Sequence, residues 1–277
     1  MSNQIAQRPK FSVMVNTNAF QNSIKNTLRD PDRARRFTAS IVSAVSTNPA
    51  LEECDASTIV TAALLGESLN LSPSPQLGQY YLVPFNDNKR GCKVAQFQLG
   101  YKGYIQLAIR SGMYKKLNVL PIKEGELIRY DPLNEEIEVN LIEDEEIREN
   151  TPTIGYYAMF EYAGKDGYRK CLYWSKKKME QHALKYSAGY KAKKGYTFWE
   201  KDFDAMAIKT MLRQLISKWG HMSIEMQDAY QKDMAVLSED SEPEFIDGTE
   251  AEIIQQNEPT EVVMPDEVPA EVNINDI

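Results

Sequence analysis

The sequence predicts an α+β protein: a helical N-terminal lobe, a central antiparallel β-sheet made of hairpins and packed by helices, C-terminal helices, and a disordered acidic tail. Apolar residues recur at three- and four-residue spacing up to about residue 70 and again beyond residue 176, which is the helical period. Between residues 79 and 174 the pattern changes to short aromatic and β-branched runs separated by turn residues. After Leu237 it changes again, to Glu, Pro, Asn and isolated valines, a composition that buries too little apolar surface to repay ordering. Residues 1–17 read as a flexible N-terminus, 18–237 as one folded domain and 238–277 as the tail.

The elements follow in order. Asp30-Pro31 opens a helix with an N-cap and a proline at the first helical position, and Phe37, Ile41, Ala44 and Val45 form its apolar stripe. Asp55 or Ser57 caps the next helix, with Ile59, Ala62, Ala63 and Leu69 inward, and Pro73 and Pro75 end it. Residues 79–85 and 93–99 form a hairpin through a polar turn. Residues 100–112 (GYKGYIQLAIRSG) are a helix entered and left through glycines. Tyr101, Ile105 and Ala108 share one face; Lys102, Gln106 and Arg110 share another. Short strands follow at 117–122, 127–130 and 137–141, and the acidic run 143–146 reads as a loop. Residues 154–162 and 168–174 flank Gly164-Lys165-Asp166-Gly167, a strong hairpin signal. Residues 176 to about 187 are helical, 188–198 form a glycine- and lysine-rich loop, and helices follow over about 203–219 and 223–236.

Charge is distributed unevenly. The chain has 277 residues, with 32 Lys and Arg against 40 Asp and Glu. Residues 238–277 hold 13 acids and no Lys or Arg, so the remainder is mildly basic. Residues 169–218 hold 13 basic residues and four acids, interleaved with Tyr186, Tyr190, Tyr196, Phe198 and Trp199. Cations neutralise phosphates and ring faces stack on bases, which is what a groove for single-stranded nucleic acid requires. Lys176-Lys177-Lys178 alone would be an ordinary solvated surface; the clustering and the interleaved rings favour nucleic acid. Within 199–220, Ile208, Met211, Leu212, Leu215 and Ile216 form an apolar stripe, and Lys209 and Arg213 share a separate face expected to lie along the nucleic-acid path.

Other chemistries are poorly represented. Cys54, Cys92 and Cys171 are odd in number and widely spaced, which argues against a disulfide framework and a metal site. His182 and His221 have no cysteine partners nearby. There is no GxxxxGK[ST] phosphate loop. Asp131, Glu161 and Lys165 are candidates for a metal-dependent DNA-end nuclease, at unspecific spacing. No catalytic residue, metal or cofactor is expected. The absence of a membrane-length apolar run or a signal peptide leads to the expectation of a soluble intracellular protein.

Residues 96–112 (QFQLGYKGYIQLAIRSG) and 201–215 (KDFDAMAIKTMLRQL) resemble the two signature blocks of the RecT family of phage single-strand annealing proteins, recombinases of the RecT/Redβ type. The resemblance spans about residues 35–235 and includes TAALLGESLNLSPSP and QYYLVPF. It implies a β-β-β-α type core, ATP-independent binding and annealing of single-stranded DNA, homo-oligomeric rings or filaments, and no enzymatic activity. It also implies a phage 5′–3′ exonuclease and a host single-strand-binding protein as partners, in the cytoplasm of a bacterial host. The candidates for phosphate contact are Lys102, Arg110, Lys176, Lys177, Lys191, Lys193, Lys209 and Arg213. Gln98 and Gln106 are candidates for bonds to backbone or bases. Tyr186, Tyr190, Tyr196 and Trp199 are candidates for stacking, with Trp199 alternatively in the core. The competing readings are the nuclease and an RNA-binding replication factor. For the tail they are occupation of the DNA groove, partner docking and solubility.

Overall fold

A computed structural model describes residues 9–87, 89–164, 167–195, 197–237 and 243–244. The helical lobe comprises α1 (Phe11–Met14), α2 (Asn18–Leu28), α3 (Pro31–Thr47), a 3₁₀ turn (Pro49–Glu53) and α4 (Ala56–Ser68). Asp30 caps α3 as its sequence requires, accepting from the N–H groups of Asp32 and Arg33. Asp55 does the same for α4 through Ser57. The flexible N-terminus must be shortened. Phe11 and Val15 are buried in the lobe, and the Phe11 N–H donates to Glu52 at 2.8 Å. Two apolar side chains in the core anchor a segment that its sequence alone leaves unpatterned.

Strands β1 (Tyr80–Asp87) and β2 (Cys92–Leu99) form the first antiparallel hairpin, in register from Tyr80 opposite Leu99 to Asp87 opposite Cys92. Helix α5 (Tyr101–Arg110) leaves β2 directly. The glycines of GYKG act here by being small. A Cβ on Gly100 would lie 2.1 Å from the Gly78 carbonyl oxygen, and one on Gly103 would lie 2.2 Å from that of Gln79. Their absence lets α5 pack on the backbone leading into β1. The buried face of α5 is Gly103, Tyr104, Leu107 and Ala108. Tyr101 and Ile105 are only half-buried, so the inward face is rotated from the Tyr101/Ile105/Ala108 expectation.

The second half is built on β3 (Tyr114–Lys123), β6 (Thr153–Tyr162) and β7 (Arg169–Ser175), antiparallel in the order β3-β6-β7. Helix α7 (Lys176–Tyr186) follows β7 and packs back on the sheet. This is the β-β-β-α arrangement that the resemblance implies, interrupted between its first and second strands. The interruption holds the hairpin β4 (Leu127–Asp131) and β5 (Glu136–Val139), then α6 (Glu145–Asn150). The period of two sorts β6 cleanly. Tyr156, Ala158 and Phe160 pack with Met179 and Ala183 of α7 and with Met211 and Leu215 of α10 (Phe203–Trp219). Tyr157 and Met159 face the other way and pack with Ile122, Cys171 and the inner side of the β4–β5 hairpin.

Three elements differ from expectation. The acidic run leads into a helix, because Asp144 caps α6 by accepting from Ile147 N–H, and Glu145 and Glu146 in its first turn suit the helix dipole. The lysine-rich loop contains α8 (Ala188–Lys191) and borders α9 (Phe198–Lys201), whose start is fixed by a capping box between Thr197 and Glu200. The last helix, α11 (Ile224–Lys232), stops early. Met234 N–H then donates to Phe97 O and Ala235 O accepts from Phe97 N–H, so the segment after Asp233 straps onto the outer edge of β2. No helix among the described residues is long and apolar enough to cross a membrane. The tail lies outside the described residues except for Pro243 and Glu244.

Candidate nucleic-acid interface

Helix α7 begins where Ser175 caps it, its hydroxyl accepting from Lys178 N–H at 3.3 Å. The next three residues, Lys176, Lys177 and Lys178, are all exposed, and no acid occupies the first turn. Lysines at this end of a helix oppose its dipole and cost a few tenths of a kcal/mol or more each. They do not serve the helix. Three ammonium groups beside unpaired backbone N–H groups make a strong seat for anions. None of the three has an acidic partner within ion-pair distance among the described residues.

One flank of α7 continues as alternating rings and cations. Lys178 Nζ lies 4.5 Å from the centre of the Trp174 ring. Trp174 and His182 are 5.5 Å apart, and His182 and Tyr186 are 4.4 Å apart. Lys185 Nζ lies 4.8 Å from the Tyr186 ring. Across from them, Lys218 and Lys170 approach the Trp219 ring at 6.0 and 4.3 Å. Burial, reinforced by Arg213, Lys185 and Lys218, holds the His182 pKa down at about 4. At neutral pH it is therefore an uncharged ring. Burial and then Lys218 also lower the Lys178 pKa. Lys178 and Lys218 are thus close enough to repel one another.

The structure sorts the other candidates. Lys191 and Lys193 are exposed beyond α7, with Lys193 in the left-handed region at φ 50°. Tyr190 packs against Trp199 and Phe203 at 6.2 and 6.3 Å, and Trp199 is buried in the same cluster, so both rings belong to the core. Tyr196 lies outside the described residues. Lys102 is exposed near Tyr101. Gln106 is half-buried, and Gln98 is buried and donates to Gln96 at 2.8 Å. Arg110 is committed to structure: its two terminal nitrogens donate to the Leu69 and Asn70 carbonyls, each at 2.6 Å, closing the C-terminal end of α4.

Lys209 and Arg213 require correction. They do not lie on an outer face. Lys209 is 6% exposed and Asp233 is 0% exposed. One oxygen of Asp233 accepts from Leu99 N–H at 2.8 Å and Lys209 Nζ at 3.1 Å; the other accepts from Tyr104 O–H at 3.2 Å and Arg213 Nη1 at 2.8 Å. The Arg213 guanidinium also lies 4.4 Å from the Tyr230 ring. The two sequence blocks thus meet through a carboxylate outside both. A buried pair of cations needs such a partner, because desolvation would otherwise be prohibitive.

Sequence reasoning did not single out Trp174, His182 and Trp219, or the role of Lys178, Lys185 and Lys218. The signal was present: 178, 182 and 185 fall on one helical flank at i, i+4 and i+7. The nuclease candidates have structural roles. Asp131 accepts from Leu133 N–H, Asn134 and Arg129 in the β4–β5 turn, and Glu161 pairs with Lys115 and Lys116. Lys165 lies outside the described residues.

Comparison with known proteins places this surface in context. A family model described as the RecT family matches residues 35–261. The chain is 43% identical over 217 residues to the uncharacterized protein YqaK of Bacillus subtilis (strain 168), covering 78% of this chain and 68% of that protein. It is 31% identical over 209 residues to protein RecT of Escherichia coli (strain K12), covering 74% and 71% respectively.

Proposed function

Because the chain belongs to the RecT family, whose members act in DNA recombination and strand annealing, we propose that it binds single-stranded DNA along α7 and anneals complementary strands without ATP. The observation that carries this reading is the first turn of α7, three exposed lysines without acidic partners among the described residues, continuous with a flank of alternating rings and cations. Phosphates seat on Lys176, Lys177, Lys178 and Lys218. Bases stack against the exposed Trp219 ring and the half-buried Tyr186 ring, which accept any base because every base has a π-face. Holding one strand by backbone and ring faces leaves its pairing edges open to a second strand. The cations screen the repulsion between the two phosphate chains. Base pairing itself drives the reaction, so no nucleotide is consumed.

The surface of one protomer spans a few nucleotides, so we infer that copies assemble side by side, as a ring or a helical filament, to make a continuous track. A phage exonuclease would supply the single strand, a host single-strand-binding protein would hand it over, and the bacterial cytoplasm is the setting. The test mixes complementary oligonucleotides with the protein in the absence of ATP and follows duplex formation. Annealing well above the protein-free rate, lost in Lys177→Glu with Lys178→Glu, is expected. A requirement for ATP, or a rate equal to the protein-free control, would overturn the proposal.

A further inference from the structure

We propose a second site, at the open β3 edge of the sheet and away from the first turn of α7: the groove between α5 and the outer edge of β3 docks the chain's own segment 270–277 as an added strand. The groove has a volume of about 600 Å³. Ile105 and Ile109 of α5 form one wall, Leu117 and Met159 line the sheet side, and Lys115 and Lys116 stand at the rim.

Three observations meet there. Strand β3 is at the edge of its sheet, and among the described residues no backbone hydrogen bond reaches its outer side between residues 115 and 120. An open strand edge is a template for another strand. Ile109 and Met113 are 60% and 40% exposed beside it, an apolar wall on an otherwise polar surface. Lys115 and Lys116 are 58% and 63% exposed and share one carboxylate, Glu161, which leaves a surplus of positive charge. Lysines on an edge strand deter a second basic edge and admit an acidic one.

Segment 270–277, AEVNINDI, has the complementary chemistry. It contains no proline, lysine or arginine. Extended, it puts Val272 and Ile274 on one face and Asn273 and Asn275 on the other, with Glu271 and Asp276 available to the rim lysines. The preceding stretch cannot pair as well, because Pro259, Pro265 and Pro269 lack the N–H that a ladder needs. Chain length permits it: 25 residues separate Glu244 from Ala270, and a stretch of that length can extend at most about 80–90 Å. Docking leaves the α7 surface uncovered and does not depend on how that surface is used.

The test uses the full chain, without DNA, carrying a photoreactive benzoylphenylalanine at the exposed position 109. After irradiation and cleavage by a Glu-specific protease, the cross-linked peptide is mapped. The expected product joins position 109 to residues 272–277. Val272→Asp with Ile274→Asp should reduce it at least about tenfold, since an unpaired carboxylate is strongly disfavoured on an apolar wall. No cross-link, a cross-link to any other segment such as 124–150 of a second copy, or a yield unaffected by the Asp substitutions would overturn the proposal.

Discussion

Asp233 decides more about this molecule than any other single residue. Its two oxygens take four donors from two separated blocks of the chain, and the side chains of its two charged partners are only 8% and 11% exposed. Burial pushes the Lys209 pKa down while Asp233 pushes it back up. Burial raises the Tyr104 pKa well above its ordinary value, which keeps its hydroxyl a donor. Asp233→Asn should therefore cost about 3–5 kcal/mol, because it strands two buried cations. Lys209→Ala combined with Arg213→Ala should destabilise as well, by opening a cavity and orphaning Asp233. Urea midpoints measure both, and a midpoint within error of the unmodified protein would remove Asp233 from this role. The sequence could not reveal the arrangement. Lys209 and Arg213 have the spacing of an exposed cationic face, and their counter-ion stands 24 and 20 positions away in an irregular segment.

In helix α7 the proposed function works against local stability. Its boundaries were legible, with a helix expected from 176 to about 187 and found at Lys176–Tyr186. Legible too were the hairpins, whose turn chemistry and alternation leave few alternatives. Less legible was α6, where a run of acids resembles a loop until Asp144 is recognised as its cap. The insertion is also held from inside: Glu126 is buried, and bonds from Arg148 and the Lys123 and Ile142 N–H groups outweigh the cost of burial to keep its pKa low. In α7 the lysines of the first turn sit at the wrong end for the dipole. Lys176→Glu with Lys177→Glu should accordingly stabilise the helix by roughly 0.3–1 kcal/mol per site while weakening DNA binding. Thermal unfolding and oligonucleotide titration on the same variant check the opposing signs. A loss of stability together with retained binding would show that these lysines serve the fold.

At the scale of the whole molecule, charge is segregated. Residues 124–150 carry 11 acids and two basic residues, the tail carries 13 acids and none, and residues 169–218 reverse the sign. The net charge of −8 describes none of these regions. Composition over short windows was thus a better guide to the proposed interface than composition over the chain, and the resemblance supplied the β-β-β-α type of the core. Neither indicated which lysines stand unpaired, because pairing depends on partners remote in sequence, as Lys115 with Glu161 and Lys170 with Glu135 show. The account's central claim is that a polyelectrolyte surface centred on α7 grips a single strand through its phosphates. The most direct test is the slope of log affinity against log salt for a single-stranded oligonucleotide, in the unmodified protein and in Lys177→Gln, Lys178→Gln and Lys218→Gln. Each lost phosphate contact should make the slope shallower by about 0.7, with no loss of stability in the unfolding midpoint. The same slope and the same affinity in all three variants would contradict it and move the DNA elsewhere on the protein.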